Sequence, residues 1–182
     1  APRRQASETH RKTTTTESHS SSGTGERSSK SSTEHKTSAG TLSQQNAVER
    51  ARSYLRSSAF SKSGLVEQLE FEGFTTSDAK WAVAHIDVNW KDQAVKKAGS
   101  YLRSSAFSKS GLVEQLEFEG FTGAQAQYGA NHVQANWKEQ AVKKAKSYLN
   151  TSSFSADGLQ DQLEFEGFTP AQAAYAVKQV GL

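Results

Sequence analysis

Between residues 1 and 40 the chain carries no Val, Ile, Leu, Phe, Trp or Tyr; beyond that point apolar residues recur with helical spacing. Over residues 47–57, Ala47, Val48, Ala51, Tyr54 and Leu55 fall at i, i+1, i+4, i+7 and i+8, one stripe of an amphipathic helix. A second helix is predicted to start after Ser61, a suitable N-cap, and to turn Leu65 and Leu69 inward. It should stop at Gly73 in a left-handed C′ conformation, with Phe74 folding back onto Leu69 in a Schellman ending. Thr75 with Asp78 is predicted to make a capping box, and Ala79, Ala82, Val83 and Ile86 form the buried stripe of a third helix. Two helices joined by such a Gly-containing turn make a helix-turn-helix.

The same pattern comes three times. Tyr54, Tyr101 and Tyr148 are spaced 47 residues apart, and Phe60, Phe107 and Phe154 align at that register. The stretch Gln68-Leu69-Glu70-Phe71-Glu72-Gly73-Phe74-Thr75 recurs unchanged at 115–122 and 162–169. Thr122 with Gln125 repeats the capping box, and Pro170 follows Thr169 at a first helical position, where its missing N–H does no harm. Residues 77–102 hold no Pro and a single late Gly99, which predicts a third helix running on into the first helix of the next copy, kinked at Asp87-Val88-Asn89. Residues 124–149 predict the same, with Gly129 a weak interruption. Trp90 and Trp137, missing from the last copy, are expected to wedge between copies. Units this small bury little alone, so neighbours are expected to pack on one another. The fold predicted is all-α: three tandem three-helix repeats joined by helical connectors (46–90, 91–137 and 138–182) behind a disordered Ser/Thr-rich tail, 1–45.

Composition sharpens the division. The tail is too poor in apolar side chains to offset its ordering entropy. It holds seven basic residues (Arg3, Arg4, Arg11, Lys12, Arg27, Lys30, Lys36) against four acidic ones (Glu8, Glu17, Glu26, Glu34), which accounts for the whole net charge of +3. The basic pI of about 9.1 therefore describes the tail, and the repeats are neutral. There is no Cys, hence no disulfide, zinc thiolate or thiol nucleophile, and no apolar run approaches the roughly 20 residues of a membrane span. No signal peptide is visible.

The candidate working surface is acidic: Glu67, Glu70 and Glu72, then Glu114, Glu117 and Glu119, then Asp161, Glu164 and Glu166. Carboxylates near a helix C-terminus oppose the macrodipole at about 0.3–1 kcal/mol each, so their retention in every copy asks for a compensation. One reading is local pairing with Lys96, Lys97, Lys143 or Lys144 on the first helices; the other is an acidic groove that receives a basic partner. Trp81, Tyr128 and Tyr175 share one repeat position and fit core or inter-repeat packing, or, if exposed beside the acids, an anchor for a partner. His85 and His132 align, but Gln179 replaces them in the third copy and no ligand stands at i+4, so a surface or packing role is expected and no metal or cofactor. No G-x-S-x-G, H-E-x-x-H or P-loop pattern occurs, which argues against an enzyme.

Tyr54-Leu55, Phe60-Ser61, Gly64-Leu65, Gln68-Leu69, Glu72-Gly73-Phe74-Thr75 and Ala79, each recurring in both later copies, resemble the repeat of the Ltp family of host cell surface-exposed lipoproteins. The resemblance covers about residues 46–182. It implies a bacterial or prophage-encoded protein built from three-helix units, held outside the cell by a lipidated N-terminal Cys and a polar spacer that residues 1–45 would supply. Some prophage-encoded members confer superinfection exclusion, interfering with entry of another phage's DNA. The function expected is a non-enzymatic, extracytoplasmic protein-binding repeat, a monomer, that engages a basic segment of a phage or cell-surface protein. Contact with a membrane would come only through a lipid anchor outside this sequence. A helix-turn-helix DNA-binding array is the alternative, but residues 75–88 offer only Lys80 and His85 as basic groups and the third copy Lys178 alone, too few for several phosphates. A structural spacer is a third reading.

Overall fold

A computed structural model describes residues 40–182; most of the tail expected to be disordered lies outside them. Among the described residues there are nine helices and no strand. The first copy contributes α1 (Leu42–Ser57), α2 (Lys62–Phe71) and α3 (Thr76–Ala84); the second α4 (Trp90–Ser104), α5 (Lys109–Phe118) and α6 (Gly123–His132); the third α7 (Trp137–Leu149), α8 (Ala156–Phe165) and α9 (Pro170–Gln179). Residues 42–45, counted with the tail on sequence, are the first turn of α1. Thr41 caps that turn and Gln44 closes the box back onto the Thr41 N–H at 2.9 Å, so a polar cap rather than an apolar stripe starts the helix.

The predicted helix ends are present. Ser61, Ser108 and Ser155 cap α2, α5 and α8. At the far end of α2 the Phe74 N–H donates to the Leu69 carbonyl and the Gly73 N–H to that of Glu70, the two bonds of a Schellman motif, with Gly73 at φ 93°. Thr122 and Gln125, and Thr169 and Gln172, form full capping boxes. Asp78 does not close the box of α3: its carboxylate accepts instead from Ser43 Oγ of α1 at 2.6 Å.

The helical connectors are corrected. Each third helix ends before its neighbour begins, leaving residues 85–89 and 133–136 non-helical. The break includes the expected kink, and its cause is Asn89, whose side chain accepts from the Lys91 and Asp92 N–H groups and so starts α4 afresh; Asn136 does the same for α7.

Each copy has its own core. Ala47, Ala51, Leu65, Leu69, Ala79 and Ala82 are fully buried in the first, and Ala141, Ala145, Leu159, Leu163, Ala173 and Ala176 in the third. All substantial helix–helix packing lies within copies, so neighbouring copies touch without sharing a core. In the second copy Gly129 is buried where α6 crosses α4, and a Cβ there would stand 2.9 Å from the Ala94 carbonyl oxygen. The equivalents, Ala82 and Ala176, carry a methyl, so this closeness belongs to the second copy.

Copies meet in two other ways. Trp90, the first residue of α4, packs on the core of the first copy, and Trp137 of α7 on that of the second, as wedges. Ser61 Oγ donates to the Glu119 carbonyl at 2.5 Å and Ser63 Oγ to that of Gly120 at 3.0 Å. Ser108 and Ser110 repeat this toward Glu166 and Gly167, at 2.6 and 3.1 Å. The N-termini of α2 and α5 are thereby fastened to the C-terminal carbonyls of α5 and α8.

Candidate functional site

The ends of α2, α5 and α8 carry the predicted acidic row, and its members divide into two groups. Glu72, Glu119 and Glu166, at the C-caps, are tied down inside their own copies. Tyr54 donates to Glu72, Tyr101 to Glu119 and Tyr148 to Glu166. A cation of the first helix joins each: Arg50 at 2.6 Å from Glu72, Lys97 at 2.7 Å from Glu119, Lys144 at 2.8 Å from Glu166. Gln68, Gln115 and Gln162 donate to the tyrosine oxygens at 3.2, 3.2 and 3.1 Å. The lysines of the local-pairing reading thus split: Lys97 and Lys144 pair, Lys96 and Lys143 do not.

These networks hold the carboxylates charged. Glu72 titrates below the ordinary carboxylate range because of the hydrogen bonds from Arg50 and then Tyr54. Burial works against the charge on Glu119 and Glu166. The hydrogen bonds from Lys97 and Tyr101, and from Lys144 and Tyr148, outweigh it and lower both values. Burial, with donation to Glu119, pushes the Tyr101 hydroxyl up to about 12, and Tyr148 is raised for the same reasons.

The remaining acids face outward. Glu67, Glu114, Glu117 and Asp161 are exposed, while Glu70 and Glu164 are half-buried, Glu164 accepting from Gln160 at 2.9 Å. None of these six forms an ion pair among the described residues. The predicted aromatics have His and Lys neighbours instead. Trp81 stacks on His85 and Tyr128 on His132, both with ring centroids 3.8 Å apart. His85 Nδ1 donates to the Trp81 carbonyl at 2.7 Å and His132 Nδ1 to that of Tyr128 at 2.9 Å. Lys91 lies 5.2 Å from the Tyr128 ring and Lys138 5.2 Å from that of Tyr175, which has no stacked His.

The aromatic the sequence reading passed over is the Phe inside the repeated octapeptide. Phe71, Phe118 and Phe165 are 87%, 87% and 88% exposed, whereas nearly every other large apolar side chain of the repeats is at least half-buried. The signal was available: Phe71 lies two residues past Leu69, about 200° around the helix from the inward stripe. Phe71 and Phe118 both line a cavity of about 450 Å³ that also takes in Glu67 of one copy and Glu119 of the next. Apolar rings and carboxylates therefore share one surface that bridges two copies.

No helix of the described residues is long and apolar enough to cross a membrane. No curated protein matches the chain. Among solved structures, that of Ltp, a superinfection exclusion protein from the Streptococcus thermophilus temperate phage TP-J34, is 34% identical, over 53% of this chain and 99% of that one, with a TM-score of 0.48. Residues 43–86, 89–133 and 136–180, one stretch per copy, match the host cell surface-exposed lipoprotein family. With most of its length accounted for by those three matches, the chain belongs to the Ltp family of host cell surface-exposed lipoproteins.

Proposed function

We propose that this chain is a non-enzymatic protein exposed outside the cell that takes part in superinfection exclusion by binding a basic, partly apolar polypeptide segment on the exposed ends of α2, α5 and α8. The observation that carries this reading is the exposure of Phe71, Phe118 and Phe165, at 87%, 87% and 88%. Leaving a Phe in water forfeits about 1.5–3 kcal/mol of burial, and none of the three serves a core. Each sits among outward carboxylates: Glu67 and Glu70, Glu114 and Glu117, Asp161 and Glu164. An aromatic anchor ringed by one sign of charge suits a partner that presents apolar side chains among Lys and Arg. Glu72, Glu119 and Glu166 contribute field rather than direct contact, since each already holds a tyrosine and a cation. Trp81, Tyr128 and Tyr175 are set aside from the contact, their neighbours being His and Lys side chains of the third- and first-helix surface.

The family supports the setting, because its members are exposed on the host cell surface. The test is capture of partner from disrupted particles of a phage that the protein excludes, at two salt concentrations. Capture should weaken at high salt and with Glu70→Gln, Glu117→Gln and Glu164→Gln combined. Capture unchanged by those substitutions would remove the acids from the binding surface.

A further inference from the structure

A second surface recurs at the junctions, built from other elements and of opposite charge. Between the end of α1 and the body of α4 lies a cavity of about 370 Å³ lined by Arg56, Ser57, Ser58, Lys96, Ser100 and Arg103. Between the end of α4 and α7 lies its counterpart, about 430 Å³, lined by Arg103, Ser104, Ser105, Lys143 and Ser147. No carboxylate lines either. Lys97 and Lys144 reach them too, but these are engaged with Glu119 and Glu166. Arg56, Lys96, Arg103 and Lys143 form no ion pair among the described residues.

A basic residue in the last turn of a helix has an ordinary purpose, complementing the dipole. The register of the copies argues for more. Arg56 and Arg103 become Asn150 in the third copy, where α7 ends without the first helix of another copy beside it among the described residues. Lys96 and Lys143 become Glu49 in the first copy, where no preceding copy supplies the other wall. Cations thus stand at these positions at both junctions, and Lys146 in the last turn of α7 shows that the dipole can be met from another position, away from the junction wall.

We infer that the two junction pockets, sharing Arg103, bind successive phosphates of an anionic polyol-phosphate polymer. Arg and Lys recognise phosphate oxygens by charge and, for Arg, by paired N–H groups, while the serine hydroxyls suit bridging and polyol oxygens. No aromatic ring lines either pocket, so nothing is there to stack a base, which separates this ligand from a single-stranded nucleic acid. Two equivalent pockets on one chain favour a repeating ligand, since the second contact becomes intramolecular.

The experiment is calorimetric titration of the full chain with a poly(glycerol phosphate) fragment at low and moderate salt, against single-stranded DNA of equal phosphate number. Arg103→Gln, which touches both pockets, should weaken the polymer about fivefold, and the added Lys96→Gln and Lys143→Gln should bring it near the detection limit. Lys80→Gln and Lys178→Gln remove the same charge away from either pocket and should stay within about twofold. Circular dichroism of each variant checks that the helices persist. The inference is overturned if the fragment does not bind at low salt, if the Lys80 and Lys178 variants lose as much as the Arg103 variant, or if the DNA binds as tightly and loses as much with Arg103→Gln. It is independent of the acidic surface: Glu70→Gln should not weaken polymer binding.

Discussion

Ser63 Oγ donates to the carbonyl oxygen of Gly120 at 3.0 Å, fastening the first turn of α2 to the helix end of the following copy. Ser110 and Gly167 repeat the bond at 3.1 Å. Because the copies do not share a core, these hydroxyls and the Trp90 and Trp137 wedges carry the junctions.

Gly120 is required twice over, by φ 84° and by Ser63 Oγ, which a Cβ would strike; Gly73, at φ 93°, has nothing within 4 Å. Gly73→Ala should cost about 1 kcal/mol, the strain of the left-handed backbone alone. Gly120→Ala should cost about 1–3 kcal/mol more, and Ser63→Ala in the same chain should recover part of it. Thermal unfolding of the three variants decides this; equal Tm losses for the two glycines would show that the junction does not press on Gly120.

The last copy carries Asp157 where the others carry Ser63 and Ser110. Its helix meets no following copy among the described residues, Ser155 is exposed where Ser61 and Ser108 are buried, and a first-turn carboxylate there suits the open helix N-terminus. Asp157→Ser should therefore cost under about 1 kcal/mol. Ser110→Asp would set a carboxylate against the Gly167 carbonyl, two acceptors facing each other, and should cost on the order of 1–3 kcal/mol. Urea unfolding midpoints compare them, and a larger loss for Asp157→Ser would contradict the account of the junction.

Much of this architecture was legible because local chemistry and tertiary structure agree. Ser61, Gly73, Phe74 and Thr122 do in the fold what their side chains and φ preferences announce. What was missed turned on competition or on a partner distant in sequence. Asn89 ends a pattern that contains no Pro, because a cap can restart a helix where no breaker stands. Asp78 accepts from Ser43, a donor 35 residues away, instead of from the N–H of its own cap, a choice that no local motif reveals. The acids at 72, 119 and 166 look like their neighbours in sequence, and only the approach of Tyr54, Tyr101 and Tyr148 separates them. Phe71 could have been found from its helical phase, which sets it on the side of α2 away from Leu65 and Leu69.

The tyrosine–carboxylate networks set how stability depends on pH. Glu72, Glu119 and Glu166 have lowered pKa values in the fold, so the stability they contribute is present above the unfolded carboxyl value of about 4.3 and is lost as pH falls through the lower folded values. Tyr101, raised to about 12, contributes stability that is complete below its unfolded value near 10 and is lost as pH climbs toward 12. Tm should fall at both extremes. Glu119→Gln should flatten the acid limb and Tyr101→Phe the alkaline one. An acid limb unchanged by removing all three carboxyl groups would place the titration elsewhere.

The central claim is that Phe71, Phe118 and Phe165 are exposed in order to bind. Its most direct measurement is entry of infecting phage DNA into cells that display this chain, either unchanged or with all three rings replaced by Ser. The substitutions touch no core, so display level and Tm should hold. The account predicts that the unchanged chain blocks entry and that the triple variant, equally displayed and folded, lets DNA in as freely as cells without the protein. Undiminished exclusion by the folded triple variant would contradict it.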